Sequence, residues 1–270
     1  MKSKIKNDFF ITNEYLLFTE LCNECKDNKY IGICYGSPGV GKTLSARHYT
    51  NWDTIEPVFP PAHLINPLPL DEISQCDSVF YTAPVTSSPA RIEREISKLI
   101  FNMNWLVDDI KTNKVRKKGS WDKQNNATKL IIIDEADRLK PASLEQVRNI
   151  YDTRKVGMLL IGMPGIEKKF SRFAQLYSRI GFVHHFQTID KDDIWGIVKR
   201  KAIEIGINTE VETQDLKEAF AEIIRITQGN FRHIQRLFTQ ISRLMKVNNV
   251  SELDKELVNT AKSSLIIGTL

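Results

Sequence analysis

The clearest chemistry in this 270-residue chain lies in one octapeptide, Gly36-Ser37-Pro38-Gly39-Val40-Gly41-Lys42-Thr43. It has the spacing G-x-x-x-x-G-K-[ST], in which glycines let successive backbone N–H groups turn inward onto phosphate oxygens with no Cβ in the way. A helix starting at Lys42 would aim its positive dipole end at the same anion. The Lys42 ammonium can reach the β- and γ-phosphates of a nucleoside triphosphate, and the Thr43 hydroxyl can ligate Mg2+.

A second constellation complements it. Leu130-Ile-Ile-Ile-Asp134-Glu135 is an apolar run ending in two acids. At the carboxyl end of a parallel strand, Asp134 would sit beside the phosphate loop and hold magnesium, while Glu135 would project towards the γ-phosphate and polarise a water as general base. The two motifs together imply hydrolysis of ATP or GTP. A third signal is Thr227-Gln228-Gly229-Asn230-Phe231-Arg232, a glycine turn opening a helix. In a subdomain lying over the nucleotide, Arg232 would contact the γ-phosphate and report nucleotide state; on a solvated surface it would do nothing.

Elements must hold these side chains in place. Short apolar runs at Tyr30–Tyr35, Ser78–Thr82, Lys129–Ile133, Gly157–Ile161 and Phe182–Phe186 read as strands buried on both faces, the mark of a parallel sheet. Helical patterns alternate with them. The clearest starts at Ser88-Pro89, an N-cap with proline at the first helical position, and its apolar face runs from Ile92 through Val107. This alternation predicts an α/β fold, a doubly wound five-stranded parallel sheet. Beyond Thr188 no strand pattern returns. Asp190 with Asp193 predicts a capping box opening a helix to about Ile205, and two more amphipathic helices follow. The expected division is an N-terminal linker with the nucleotide-binding subdomain over 1–188 and an all-helical lid over 189–270. Prolines 57, 60, 61, 67 and 69 predict an irregular loop before the second strand, and Asp108–Thr128 a polar, basic one before the third.

Composition sets the frame. Hydrophobic residues make up 41% and charged residues 26%, enough for a real core and no sign of disorder. No run approaches a membrane span, and the start lacks a signal-peptide core, so a cytoplasmic protein away from membranes is expected. Four cysteines are too few for a disulfide framework in a chain this long. Cys22 and Cys25, a lone C-x-x-C on a helical pattern with Phe18 and Leu21, read as core thiols, and Cys34 falls on the first strand. His184 and His185 alternate faces of one strand and cannot chelate together.

The phosphate loop, the Asp134-Glu135 strand end and the Gly229–Arg232 turn together resemble an AAA+ ATPase. More selectively, Ile131-Ile-Ile-Asp-Glu-Ala-Asp-Arg-Leu-Lys-Pro141 with Glu145-Gln-Val-Arg148 is similar to the ATPases that choose transposon insertion sites, the TnsC, TniB and MuB group. The likeness runs from about Tyr30 to Ile241. It implies a homo-oligomer, a ring or helical filament, assembled head to tail on double-stranded DNA when ATP and Mg2+ are bound. The assembly would recruit a transposase, alongside a target-selector protein, and hydrolysis would release it. The resemblance also implies an arginine finger acting on the neighbouring protomer, for which Arg179 fits first and Arg172 second, and a sensor role for Arg232. One departure stands out: after the fourth strand the family offers a polar sensor, and this chain has Gly162-Met163-Pro164. Methionine cannot orient a water as threonine or asparagine would, which implies slow, partner-stimulated turnover.

The net charge is 38 − 33 = +5, a mild excess whose placement matters more than its size. Lys111, Lys114, Arg116, Lys117 and Lys118 form a run without an acid, followed by Trp121. Read from residues alone, it is equally a solvated loop or a sequence-tolerant phosphate contact. The family resemblance favours DNA contact and adds Arg91, where relatives approach the duplex backbone. No base-reading motif is present. Two other readings remain open at this stage: a replication initiator or clamp-loader-like ATPase, and a signalling or secretion ATPase without DNA.

Overall fold

The computed structural model describes residues 9–59, 70–86, 88–112, 127–211 and 213–265. Its elements run α1 (Asn13–Asn28), β1 (Ile31–Tyr35), α2 (Lys42–Tyr49), α3 (Trp52–Ile55), α4 (Leu70–Ser74), β2 (Ser78–Thr82), α5 (Pro89–Thr112), β3 (Leu130–Asp134), α6 (Pro141–Arg154), β4 (Gly157–Gly162), α7 (Ile166–Phe170), α8 (Ala174–Tyr177) and β5 (Ile180–His185). There follow α9 (Lys191–Glu204), α10 (Gln214–Thr227), α11 (Phe231–Asn248) and α12 (Lys255–Ser263). The chain divides into two compact units.

The first unit, residues 17–36 and 42–185, contains the whole sheet. All pairings are parallel, in the order β2-β3-β4-β1-β5. The central strands β1, β3 and β4 are buried almost throughout, as their mostly apolar sequences, Ile-Gly-Ile-Cys-Tyr, Leu-Ile-Ile-Ile-Asp and Gly-Met-Leu-Leu-Ile-Gly, require. Helices α5 and α6 pack against each other beside the sheet. Helix α1 approaches so closely at Gly157 that any Cβ there would run into the Cys25 carbonyl. Cys22, Cys25 and Cys34 are all buried, and burial pushes the Cys25 thiol up to about 12 and raises Cys22 well above the usual range. They are core thiols, as their helical and strand spacing implied.

The structure corrects the sequence reading in four places. The fifth strand covers Ile180–His185 and ends before Phe186; its side chains alternate half-buried and exposed, with Val183 56% accessible. Among the described residues it pairs with β1 alone, so one edge and one face lack the cover that an interior strand has. Helix α5 continues through Asp108 to Thr112, placing Lys111 on its last turn and not in a loop. Around the proline-rich stretch two short helices, α3 and α4, take up positions assigned to loop, Pro57 lies in a 3-10 turn, and Pro60, Pro61, Pro67 and Pro69 fall outside the described residues. The capping box at α9 is only half formed. Asp190 accepts from the Asp192 and Asp193 N–H groups, but the Asp193 carboxylate accepts the Asn13 N–H instead of reaching back.

The second unit comprises residues up to Leu16, Ser37–Gly41 and Phe186–Leu270. Four helices, α9 to α12, enclose a core of Ile197, Val198, Phe220, Ile223, Leu237, Phe238, Ile241 and Val258, with Phe10 packed onto it. The last helix was not foreseen. Asp254 caps it, and Leu257, Val258 and Ala261 face the core.

Candidate nucleotide site

The loop after β1 needs backbone conformations that L side chains resist. Gly39 and Gly41 have φ values of 82° and 123°, in the region that favours glycine. The loop delivers the chain into α2, whose first two residues are Lys42 and Thr43. Lys42 is 9% exposed, and its Nζ donates to the Gly36 carbonyl at 2.5 Å. Burial holds its ammonium below the ordinary lysine range, against the pull of Cys34, Asp134, Glu135 and Asp137.

Thr43 and Asp134 meet although 91 residues separate them. The Thr43 hydroxyl donates to Asp134 Oδ2 at 2.7 Å, and the Glu135 N–H donates to Oδ1 at 2.9 Å. Asp134 is 4% exposed; burial raises its pKa above the usual value, opposed by the Thr43 and Glu135 hydrogen bonds and by the Lys42 and Arg138 charges. A buried carboxylate and a hydroxyl side by side are hard oxygen donors, the set that suits Mg2+. Four residues named from sequence, Lys42, Thr43, Asp134 and Glu135, are thus brought to one end of the sheet, at the carboxyl termini of β1 and β3.

Glu135 itself stands in a left-handed backbone conformation, φ 55°, and its carboxylate lies 3.5 Å from Arg138. Arg138 also donates to the Ala83 carbonyl at 3.1 Å. Two further residues shape this corner without having been singled out. Asp137 accepts the Met163 N–H at 3.3 Å, and Lys169 Nζ donates to the Asp137 and Leu139 carbonyls at 2.6 and 2.7 Å. These contacts tie the segment after β3 to the end of β4 and to α7. No local pattern announces them, because each joins residues at least 26 positions apart.

In the helical unit, Arg232 is the second residue of α11 and its side chain is exposed. Its backbone N–H donates to the Gly39 carbonyl at 3.0 Å, and the Asn230 amide Nδ2 donates to the Pro38 carbonyl at 2.9 Å. Asn230 also caps α11 by accepting from the Arg232 and His233 N–H groups. The side chain that contacts the loop is that of Asn230, while Arg232 contributes its backbone N–H.

The other candidates separate. Arg179 is engaged within its own chain: Nε and an Nη donate to the two Asp152 oxygens at 2.6 and 2.9 Å, and it also donates to the Gln175 carbonyl. Arg172 is exposed, with no ion-pair partner for its side chain among the described residues. Arg91 is exposed and paired with Glu95 at 2.7 Å, and Glu95 in turn accepts the Tyr81 hydroxyl at 2.9 Å. Lys111 is exposed near the other end of the same helix, about 30 Å away at 1.5 Å per residue. The two cannot belong to one local patch. Lys114, Arg116, Lys117 and Lys118, with Trp121, lie outside the described residues. His184 and His185 are on β5, where His185 stacks on Tyr35 with centroids 5.0 Å apart. No group of three potential metal ligands of the His, Cys, Asp or Glu type occurs among the described residues, and no described helix is long and apolar enough to cross a membrane.

Comparison with known proteins agrees with this geometry. The family model described as "AAA domain" matches residues 25–170. A Staphylococcus aureus protein named as a potential ATP-binding protein is 43% identical over 272 residues, covering 97% of this chain and 98% of that protein. The ATP-dependent target DNA activator B of Escherichia phage Mu is 24% identical over 188 residues, covering 65% of this chain and 52% of the phage protein, so the match spans about half of that relative. Among solved structures, the Thermotoga maritima RuvB Holliday junction branch migration motor aligns with a TM-score of 0.58 at 16% identity, over 95% of this chain and 70% of that one. The Aeropyrum pernix ORC2 protein, in its ADPNP and ADP complexes, gives 0.61 at 15% identity, over 96% and 70%. At such identities the structural likeness is one of fold.

Proposed function

The chain belongs to the AAA domain family, and we propose that it is an ATP-dependent switch that assembles on double-stranded DNA and regulates transposition. The observation that supports the nucleotide half is the 2.7 Å hydrogen bond from Thr43 to Asp134, two hard oxygen donors of the kind that would suit Mg2+, with Lys42 next to Thr43 at the end of a glycine-rich loop. The DNA half is supported by the 24% identity to a protein named as a target DNA activator, together with the basic stretch from Lys111 to Lys118.

In this reading the backbone N–H groups of Gly36–Gly41 bind the nucleotide phosphates, and Lys42 exchanges the Gly36 carbonyl for a phosphate oxygen. Thr43 and Asp134 would hold magnesium, which would supply positive charge against the phosphates. Glu135 polarises the attacking water as general base. Arg232 contacts the γ-phosphate, and an arginine of the neighbouring protomer completes the site. Arg179 would have to leave Asp152 to act in trans, whereas Arg172 would not, so Arg172 becomes the readier finger. The thioether of Met163 cannot orient the water, which favours slow turnover stimulated by a partner such as the transposase.

The test is binding of an arbitrary-sequence duplex with a slowly hydrolysed ATP analogue, with ADP and with no nucleotide, across a salt series, with electron microscopy of the same samples. Binding and regular assemblies only with the ATP analogue, weakening steeply with salt, are the expected result. Nucleotide-independent affinity, or none, would remove the transposition reading in favour of a signalling or secretion ATPase. Copurification with replication proteins and no transposase would turn it towards an initiator or clamp loader.

A further inference from the structure

A phosphate loop binds anions only if its peptide planes already point their N–H groups at the phosphate. In a trans peptide the carbonyl and the following N–H point in opposite directions, so whatever holds the carbonyl also aims the N–H. Two consecutive carbonyls of this loop are held. The Pro38 carbonyl accepts from Asn230 Nδ2 at 2.9 Å, and the Gly39 carbonyl accepts from the Arg232 N–H at 3.0 Å. The Gly39 and Val40 N–H groups are thereby directed away from α11. The fit leaves no slack: a Cβ on Gly39 would lie 2.6 Å from the Arg232 Cβ and 2.7 Å from Asn230 Oδ1.

Asn230 is itself held by its surroundings. Its N–H donates to the Thr227 carbonyl, and the preceding Gly229 carbonyl accepts the Ile189 N–H at 3.0 Å. Its side chain uses both ends, Oδ1 to cap α11 and Nδ2 to reach the loop. Aspartate or serine would serve the first purpose equally well, but neither supplies the donor that serves the second.

We propose that Asn230, with the first turn of α11, is a positioning residue that clamps the Pro38–Gly39 and Gly39–Val40 peptide planes and so sets the affinity of the phosphate loop for nucleotide. The inference rests on reading Gly36–Thr43 as a nucleotide site. The coupling is reciprocal by linkage: a partner that displaces the start of α11 loosens nucleotide, and bound nucleotide holds α11 in place.

The experiment compares wild type, Asn230→Asp and Asn230→Ser in affinity for a fluorescent ADP analogue and in nucleotide-free Tm. ADP removes any contribution from an arginine on the γ-phosphate. Asn230→Ser is the deciding variant, because it keeps a cap and adds no charge that could itself repel the β-phosphate. Losing one neutral hydrogen bond predicts an affinity loss of about fivefold in Asn230→Ser. Asn230→Asp is expected to lose more than the serine variant, since its charge adds repulsion. Both keep the cap, so the nucleotide-free Tm should fall by no more than the about 2–4 °C that losing the loop bond itself costs. Wild-type affinity in the serine variant overturns the clamp. So does an affinity loss that appears only together with a Tm fall well beyond that, which would make Asn230 a helix cap and nothing more. If wild type itself binds no ADP, the nucleotide reading is what fails.

Discussion

Thr43→Val removes a hydroxyl and almost no volume, and the structure dictates what should follow. Asp134 loses the donor at 2.7 Å on Oδ2 and keeps the Glu135 N–H on Oδ1. A hydrogen bond to a charged group contributes about 1.5–3 kcal/mol, and because Thr43 itself is exposed the low end applies, about 1–1.5 kcal/mol. For a chain of this size that corresponds to a fall in nucleotide-free Tm of about 2–6 °C. The sign with pH follows from Asp134. Its folded-state pKa is raised above the ordinary 3.8, so its own ionisation favours unfolding, and its contribution to stability is greatest below 3.8 and lost as pH rises through the raised value. The Thr43 bond lowers that pKa, so removing it raises the pKa further. The stability gap between wild type and variant is therefore widest near pH 8 and closes as pH falls through the Asp134 titration. Thermal scans of both proteins from pH 4 to 8 measure it, with Thr43→Ser as the control that keeps the hydroxyl. Magnesium-dependent hydrolysis should fall in the same variant while magnesium-free nucleotide binding persists. A gap that does not change with pH would refute the assignment of the bond to an ionised carboxylate.

Glu135→Gln should lower hydrolysis by about 10²–10⁴-fold while ATP binding survives, so assemblies on DNA should outlast those of wild type in a dissociation assay. Replacing Lys111, Lys114, Arg116, Lys117 and Lys118 with glutamine should weaken duplex binding uniformly across sequences and flatten the log Kd against log salt plot by up to about 4.5 if all five touch phosphates; an unchanged slope in fluorescence anisotropy would exclude that stretch from the interface. Gly157→Ala should destabilise the sheet unit by about 1–3 kcal/mol, read as a lower denaturation midpoint, because its methyl would meet the Cys25 carbonyl of α1.

The sequence carried whatever depends on local spacing. The buried strands are short, mostly apolar runs whose side chains favour a sheet covered on both faces, and the start of α5 at Pro89 follows from proline's fixed φ beside a serine cap, with Ser88 Oγ accepting the Arg91 N–H at 3.2 Å. The phosphate loop was readable because its glycines and lysine are adjacent and each type has a chemical reason to be there. Even the caps at Asp190 and Asn230 lie within three residues of the N–H groups they accept.

Tertiary structure decided what those local pieces meet. Which strand would lie at an edge depends on pairing order, and so β5 shows half-exposed faces that its apolar residues had concealed. Arg179 fits the finger by its place in the chain, yet Asp152, 27 residues earlier on α6, accepts from its Nε and one Nη. Asn230 finds Pro38 across 192 residues, and Asp137 finds Met163 across 26. Periodicity and turn chemistry act through bonds a few residues long, so a sequence displays them directly. A hydrogen bond between distant segments exists only after the packing of whole elements has carried its donor within about 3 Å of its acceptor, and no short pattern records that outcome.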